Sequence, residues 1–162
     1  MHPPYWSQEI LDGMTRNLVL TERMTAEKAI NLEGIIKEAF PESMVKVPAL
    51  LVEQMTNHTG DRHVLAAAVE AKASVIVTSN LKDFQENDLA PWNINAQSPD
   101  VFLTNLYAFD PALMLQVIRR QSKRLKKPPL TVNQLLDLLA EETPEFSRQV
   151  RLGLESVRDN FE

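Results

Sequence analysis

Asp61-Arg62-His63-Val64-Leu65-Ala66-Ala67-Ala68-Val69, followed closely by Ser74-Val75-Ile76-Val77-Thr78-Ser79-Asn80-Leu81-Lys82-Asp83, is the stretch from which the fold can be read. In its first part Val64, Leu65, Ala68 and Val69 fall on one helical face. Ala66, Ala67 and Ala71 are small enough to let that helix approach a neighbour closely. Asp61 stands where a helix cap belongs. In the second part, residues 74–78 form an apolar, β-branched run of the kind found in a strand buried on both faces. A helix leading into such a strand runs antiparallel to it in an α/β layer. The predicted helix over residues 61–73 is about 20 Å long at 1.5 Å per residue, and the strand covers about 15 Å at 3.3 Å per residue. The start of the helix and the end of the strand therefore share one edge of the sheet. That edge, beyond the carboxyl ends of the strands, is where open α/β sheets place ligands.

The geometry brings Asp61 and Asp83 to one place although they are distant in sequence. Clustered carboxylates suit Mg²⁺ or Mn²⁺, which take oxygen ligands and keep waters. A metal held there can polarise a phosphodiester and activate water for in-line attack. The plain alternatives are an Asp61 that only caps its helix and an Asp83 that is solvated in a polar loop.

Outward from this stretch, Ser7 caps a predicted helix carrying Leu11, Met14 and Leu18. Thr25 caps a second, with Ala29, Leu32, Ile36 and Ala39 on one face, stopped by Pro41. Met44, Val45 and Val47 read as a short strand ended by Pro48, and residues 49–57 as a short helix. Residues 80–91 read as a polar loop, and 94–96 as one more short strand. Helical patterns then follow at 101–107, 111–125, 132–141 and 145–157, with proline-marked breaks at Asp110-Pro111, Pro128-Pro129 and Thr143-Pro144. The predicted organisation is a helix–strand body over residues 1–107 and a helical extension over 108–162.

Composition narrows the function classes. The chain has 162 residues, 44% hydrophobic and 24% charged, as expected of a globular protein. It has no cysteine, which excludes disulfides, thiolate zinc sites and cysteine nucleophiles and suits a reducing cytoplasm. With only His2, His58 and His63 besides, a zinc site lacks ligands. Neither a signal peptide nor an apolar run of about 18 residues is present, so no membrane association is expected. The four glycines form no phosphate cradle. A net charge of -5 disfavours broad nucleic-acid binding yet leaves room for a local basic surface. Arg119, Arg120, Lys123, Arg124, Lys126 and Lys127 offer one at the end of a predicted helix, for RNA or for an acidic partner. The same cations also complement a helix dipole. His63, in the first turn of the acidic helix, either reaches a phosphate or is a surface histidine. Trp6 and Trp92 either stack on bases or pack in the core or an interface.

The segments 61–68 and 76–84 resemble the acidic-helix and strand-to-acid segments of PIN-domain ribonucleases, the nuclease fold of VapC-type toxins. Tyr5-Trp6-Ser7-Gln8-Glu9-Ile10-Leu11 is similar to that family's second-helix opening, and Phe40-Pro41-Glu42 and Ser98-Pro99-Asp100-Val101-Phe102-Leu103 also fit. Lys127-Pro128-Pro129 and Asn133-Gln134-Leu135-Leu136 resemble the C-terminal helical extension of one VapC-like branch. The resemblance runs over nearly the whole chain and is most specific from Asp61 to Phe84. It implies an α/β fold with a PIN-like parallel sheet flanked by helices. It also implies metal ligands at Asp61 and Asp83 with Thr78 and Asn80 supporting them, RNA cleavage with Mg²⁺ or Mn²⁺, and an antitoxin partner.

Two departures bear on that expectation. PIN domains open with a strand carrying an Asp, followed by a helix, before the Trp-Ser segment, whereas this sequence starts almost on that segment. The expected body therefore lacks its first strand, about 20–25 residues with its helix and loops. A small separate polypeptide donating an acidic strand, a segment swapped from a second copy in a homodimer, or a mis-assigned start are the three explanations. The second departure is Gly13, where the family carries an acid; Glu9, one turn earlier on the same face, is the candidate compensating acid. The expectation is the larger component of a split or truncated VapC-type ribonuclease. The alternative is an inactive PIN-like module that binds RNA or a protein.

Overall fold

A computed structural model describes residues 3–124 and 129–159. The expected contributions of His2, Leu125, Lys126, Lys127 and Pro128 lie outside the described residues.

Helices α1 (Gln8–Leu20) and α2 (Ala26–Ala39) pack against each other and start as the capping residues dictate. The Ser7 hydroxyl accepts from the Ile10 N–H at 3.2 Å, and the Thr25 hydroxyl accepts from the Lys28 N–H at 3.4 Å. A 3₁₀ turn at Pro41–Ser43 follows, and then an extended stretch instead of the predicted strand. Met44 makes one parallel bridge with Trp6, through Trp6 N–H to Ser43 O at 3.0 Å and Val45 N–H to Trp6 O at 2.8 Å. A strand is defined by its ladder, and among the described residues no ladder continues past Val45.

Helices α3 (Ala49–Glu53) and α4 (Arg62–Glu70) pack together, with a 3₁₀ turn at Thr59–Asp61 between them. Helix α4 is shorter than its apolar pattern suggests, because Lys72 adopts φ 53 and turns the chain. Strand β1 (Val75–Val77) then pairs with β2 (Asn95–Gln97) as a small parallel sheet. Its bonds run from Asn95 N–H to Ser74 O at 3.0 Å and from Thr78 N–H to Gln97 O at 2.9 Å. Residues 80–91 are not a plain polar loop. They hold 3₁₀ turns at Leu81–Asp83 and Ala90–Trp92, with helix α5 (Glu86–Leu89) between them.

The remainder is helical: α6 (Pro99–Phe109), α7 (Pro111–Arg124), α8 (Val132–Ala140) and α9 (Pro144–Asp159). Ser98 caps α6, and the Asp110 carboxylate accepts the Leu113 N–H at 2.9 Å to open α7. A reciprocal Thr131–Gln134 capping box opens α8.

Packing divides the chain into two compact units. One holds residues up to Ile76 together with Asn80–Ala96; the other holds Val77–Ser79 and residues from Gln97 onward. The core of the first is Met55, Leu65, Ala66, Ala68, Ile76, Phe84, Leu89 and Ile94. Trp92 packs against this core, and Trp6 meets Phe40 edge-on with ring centres 5.7 Å apart, so both tryptophans have packing roles. The core of the second is Leu115, Ile118, Leu135, Leu136, Phe146 and Val150. The fold is α/β, mostly helical, with a small two-stranded parallel sheet and a helical C-terminal region. No single helix among the described residues is long and apolar enough to cross a membrane.

Candidate metal centre

Two loops of the first unit meet over its core. Residues 55–61 lead into α4, and residues 80–88 follow β1. Met55, Phe84 and Leu89 are all at least 95% buried and anchor both loops from below. Hydrogen bonds tie the loops to each other. The Asn57 amide donates to the Asp83 carbonyl at 3.3 Å, and the Thr56 hydroxyl to the Asp88 carboxylate at 2.5 Å. Arg62 points its Nε back to the Asn57 carbonyl at 3.2 Å.

On this base, ligand atoms of His58, Asp61 and Asp83 all come within 4.8 Å of one another. Asp61 sits at the start of α4, but its side chain accepts no capping N–H from that helix. Its carboxylate instead lies 3.7 Å from His58 Nδ1. Asp83 closes a 3₁₀ turn, and the Asn80 amide donates to one of its carboxylate oxygens. Two carboxylates at about 5 Å repel by roughly 1 kcal/mol in water and about 3 kcal/mol at an effective dielectric of 20. A divalent cation would offset that repulsion.

The donor set fits such an ion. Ligand atoms around an octahedral ion with bonds of about 2.1 Å are about 3 Å apart when adjacent and about 4.2 Å when opposite. A separation of at most 4.8 Å needs only a small closing of side chains. Asn57 is 3% exposed, and its Oδ1 has no hydrogen-bond partner among the described residues. Such an orphan acceptor at the base of the centre suits a site that takes further polar occupants.

The other predicted site residues are placed as follows. Thr78 follows β1, half-buried, with its N–H on Gln97. Glu9 lies 3.8 Å from His63 Nδ1 and is not one of the three clustered residues. An added Cβ at Gly13 would meet nothing within 4 Å, so there is open room for a side chain at this position. In the other unit, Arg119, Arg120, Lys123 and Arg124 are exposed along the end of α7. Arg119 also lines a cleft of about 560 Å³ with Asn133 and Arg151.

Sequence reasoning missed His58 and Asn57. The available signal was the His58-Thr59-Gly60-Asp61 spacing, which a tight turn converts into one shared face.

Comparison with known proteins adds two findings. Residues 99–152 match the VapC50 C-terminal domain model. Over 101 residues the chain is 43% identical to the protein named "Putative ribonuclease VapC50" of Mycobacterium tuberculosis (strain ATCC 25618 / H37Rv). That match covers 62% of this chain and 60% of the relative, so the chain spans less than two thirds of the curated protein it resembles. No solved structure matches. Over these segments the chain is similar to a putative VapC ribonuclease and to the C-terminal domain of that protein type.

Proposed function

We propose that this chain is the nuclease component of a VapC-type toxin, cutting RNA endonucleolytically with Mg²⁺ or Mn²⁺. The observation that carries the reading is the meeting of Asp61 and Asp83 in one half-buried cluster, the first not engaged as a helix cap and the second oriented by Asn80. Asp61 and Asp83 are the ligands, with Thr78 and Asn80 in support. When bound, the cation supplies charge for the scissile phosphate and lowers the pKa of a coordinated water. The residues present do the positioning. Asn80 fixes the Asp83 carboxylate, and Asn57 fixes the Asp83 backbone.

The site takes a further carboxylate from a strand docked along the open edge of β1. Among the described residues β1 pairs with β2 on one side only, and Val77 is 44% exposed. A small polypeptide carrying an apolar strand with an Asp fits such an edge; a second copy of this chain, or residues ahead of Met1 in a longer chain, are the alternative sources. Arg119, Arg120, Lys123 and Arg124 contact RNA phosphate or an acidic partner. An antitoxin occupies or distorts the acidic centre, and the protein acts in the cytoplasm.

The second reading, a non-cutting PIN-like module that binds RNA or protein, is favoured by one observation, the glycine at position 13. A ribonuclease assay in Mn²⁺, with and without the co-expressed short strand, separates the two. Cleavage that appears with the strand and disappears in Asp83→Ala supports the enzyme. Absence of cleavage under both conditions supports the binding module.

A further inference from the structure

Imidazole changes which ion a carboxylate site selects. Mg²⁺ is hard, holds its waters strongly and seeks oxygen. Mn²⁺ and the later divalent ions accept nitrogen more readily, and affinity at mixed N/O sites rises along that series. An all-carboxylate centre therefore leaves the choice of ion to supply, whereas a nitrogen ligand biases it.

His58 is placed to be that ligand. Its Nδ1 lies 3.7 Å from the Asp61 carboxylate, between the adjacent and opposite spacings expected around one ion. Nδ1 is also the nitrogen whose lone pair faces the turn, since it accepts the Gly60 N–H at 3.3 Å. That bond is long for an N–H donor and is readily exchanged for a stronger one. The His58 ring is well exposed, its side chain at 62%, so it swings inward without repacking the core. The two tied loops below it keep Asp61 and Asp83 in place while it does so.

We propose that His58 is a third protein ligand of the centre and gives it a preference for Mn²⁺ over Mg²⁺. The inference rests on Asp61 and Asp83 holding the metal, and the test separates failure of the two ideas. The full chain, alone and with the co-expressed short strand, is stripped with chelator and titrated calorimetrically with MnCl₂ and with MgCl₂, without RNA. The same titrations are run on His58→Ala, His58→Asn and Asp83→Ala, each checked for native circular dichroism.

The expected result is tighter binding of Mn²⁺ than of Mg²⁺ by wild type. Both His58 variants lose Mn²⁺ affinity by on the order of ten- to a hundredfold, the range over which even supporting groups act on metal sites. Their Mg²⁺ affinity changes far less, and Asp83→Ala loses both ions. If both ions bind through Asp83 and the His58 variants keep the wild-type Mn²⁺/Mg²⁺ ratio, the role of His58 is overturned and the metal centre stands. If neither ion binds wild type saturably, or Asp83→Ala binds both unchanged, the inference and the centre beneath it fall together.

Discussion

Asp61 and Asp100 are the same residue at comparable places, each at the start of a helix, and the two units use them in opposite ways. In the C-terminal unit the Asp100 carboxylate accepts two backbone N–H groups of α9, from Glu145 at 3.2 Å and Phe146 at 2.8 Å. It closes the junction of α6 with α9 by satisfying donors that no earlier helical turn can reach. In the N-terminal unit Asp61 leaves the N–H groups of α4 alone and stands beside His58 and Asp83. One aspartate serves the fold and the other is held back from it. Residue type and position thus do not separate a structural acid from a chemical one; the hydrogen bonds its carboxylate makes do.

The comparison can be broken most easily at the chemistry. Asp61→Ala is expected to lower metal-dependent RNA cleavage by about a hundredfold or more, since supporting groups alone change metal sites by 10- to 100-fold. Its stability is expected to stay within about 0.5 kcal/mol of wild type, as for substitutions at sites without a packing role. An unfolding titration showing a large loss of stability would place Asp61 with Asp100 after all.

On the structural side, Phe146 is 1% exposed at the centre of the second core. Phe146→Ala is expected to cost about 3–5 kcal/mol, read as a lower denaturation midpoint. Asp100→Ala removes only the cap beside it and is expected to cost about 1–2 kcal/mol. If Asp100→Ala is neutral, the contrast with Asp61 loses its structural half.

Smaller effects sharpen the picture. At Gly13 an added Cβ is unobstructed, so Gly13→Ala is expected to stabilise the protein by about 0.5–1 kcal/mol, through helix propensity. Glu145, half-buried at the start of α9, has its carboxyl lowered to about 2 by hydrogen bonds from Arg148 first and Gln149 second. A depressed carboxyl adds stability above its unfolded value of 4.5, and that increment is lost as pH falls from 4.5 towards 2. Arg148→Ala is expected to flatten the midpoint-against-pH curve in that window, by a small amount because the pair is solvated.

The helices were legible because their signals are local. Ser7 and Thr25 each cap where their hydroxyls predict. The end of α4 was not, because Lys72 takes a left-handed conformation that the sequence usually marks with glycine. Residues 44–47 read as a strand from their side chains, but a strand needs a partner, and pairing is not written in the segment itself. Phe84, Leu89 and Ile94 are buried at a spacing of five, matching neither the helical nor the strand period, so α5 was hidden in what read as a loop. At the centre, the edge argument brought Asp61 and Asp83 to one region. His58 was invisible to it, since a 3₁₀ turn rather than an α/β layer carries it there.

The most direct test is a crystal of the full chain soaked in Mn²⁺ and measured at the manganese absorption edge. The account predicts one strong anomalous peak within about 2.5 Å of carboxylate oxygens of both Asp61 and Asp83, a bonding distance for a divalent ion. A peak elsewhere, or none between these two residues, would contradict it.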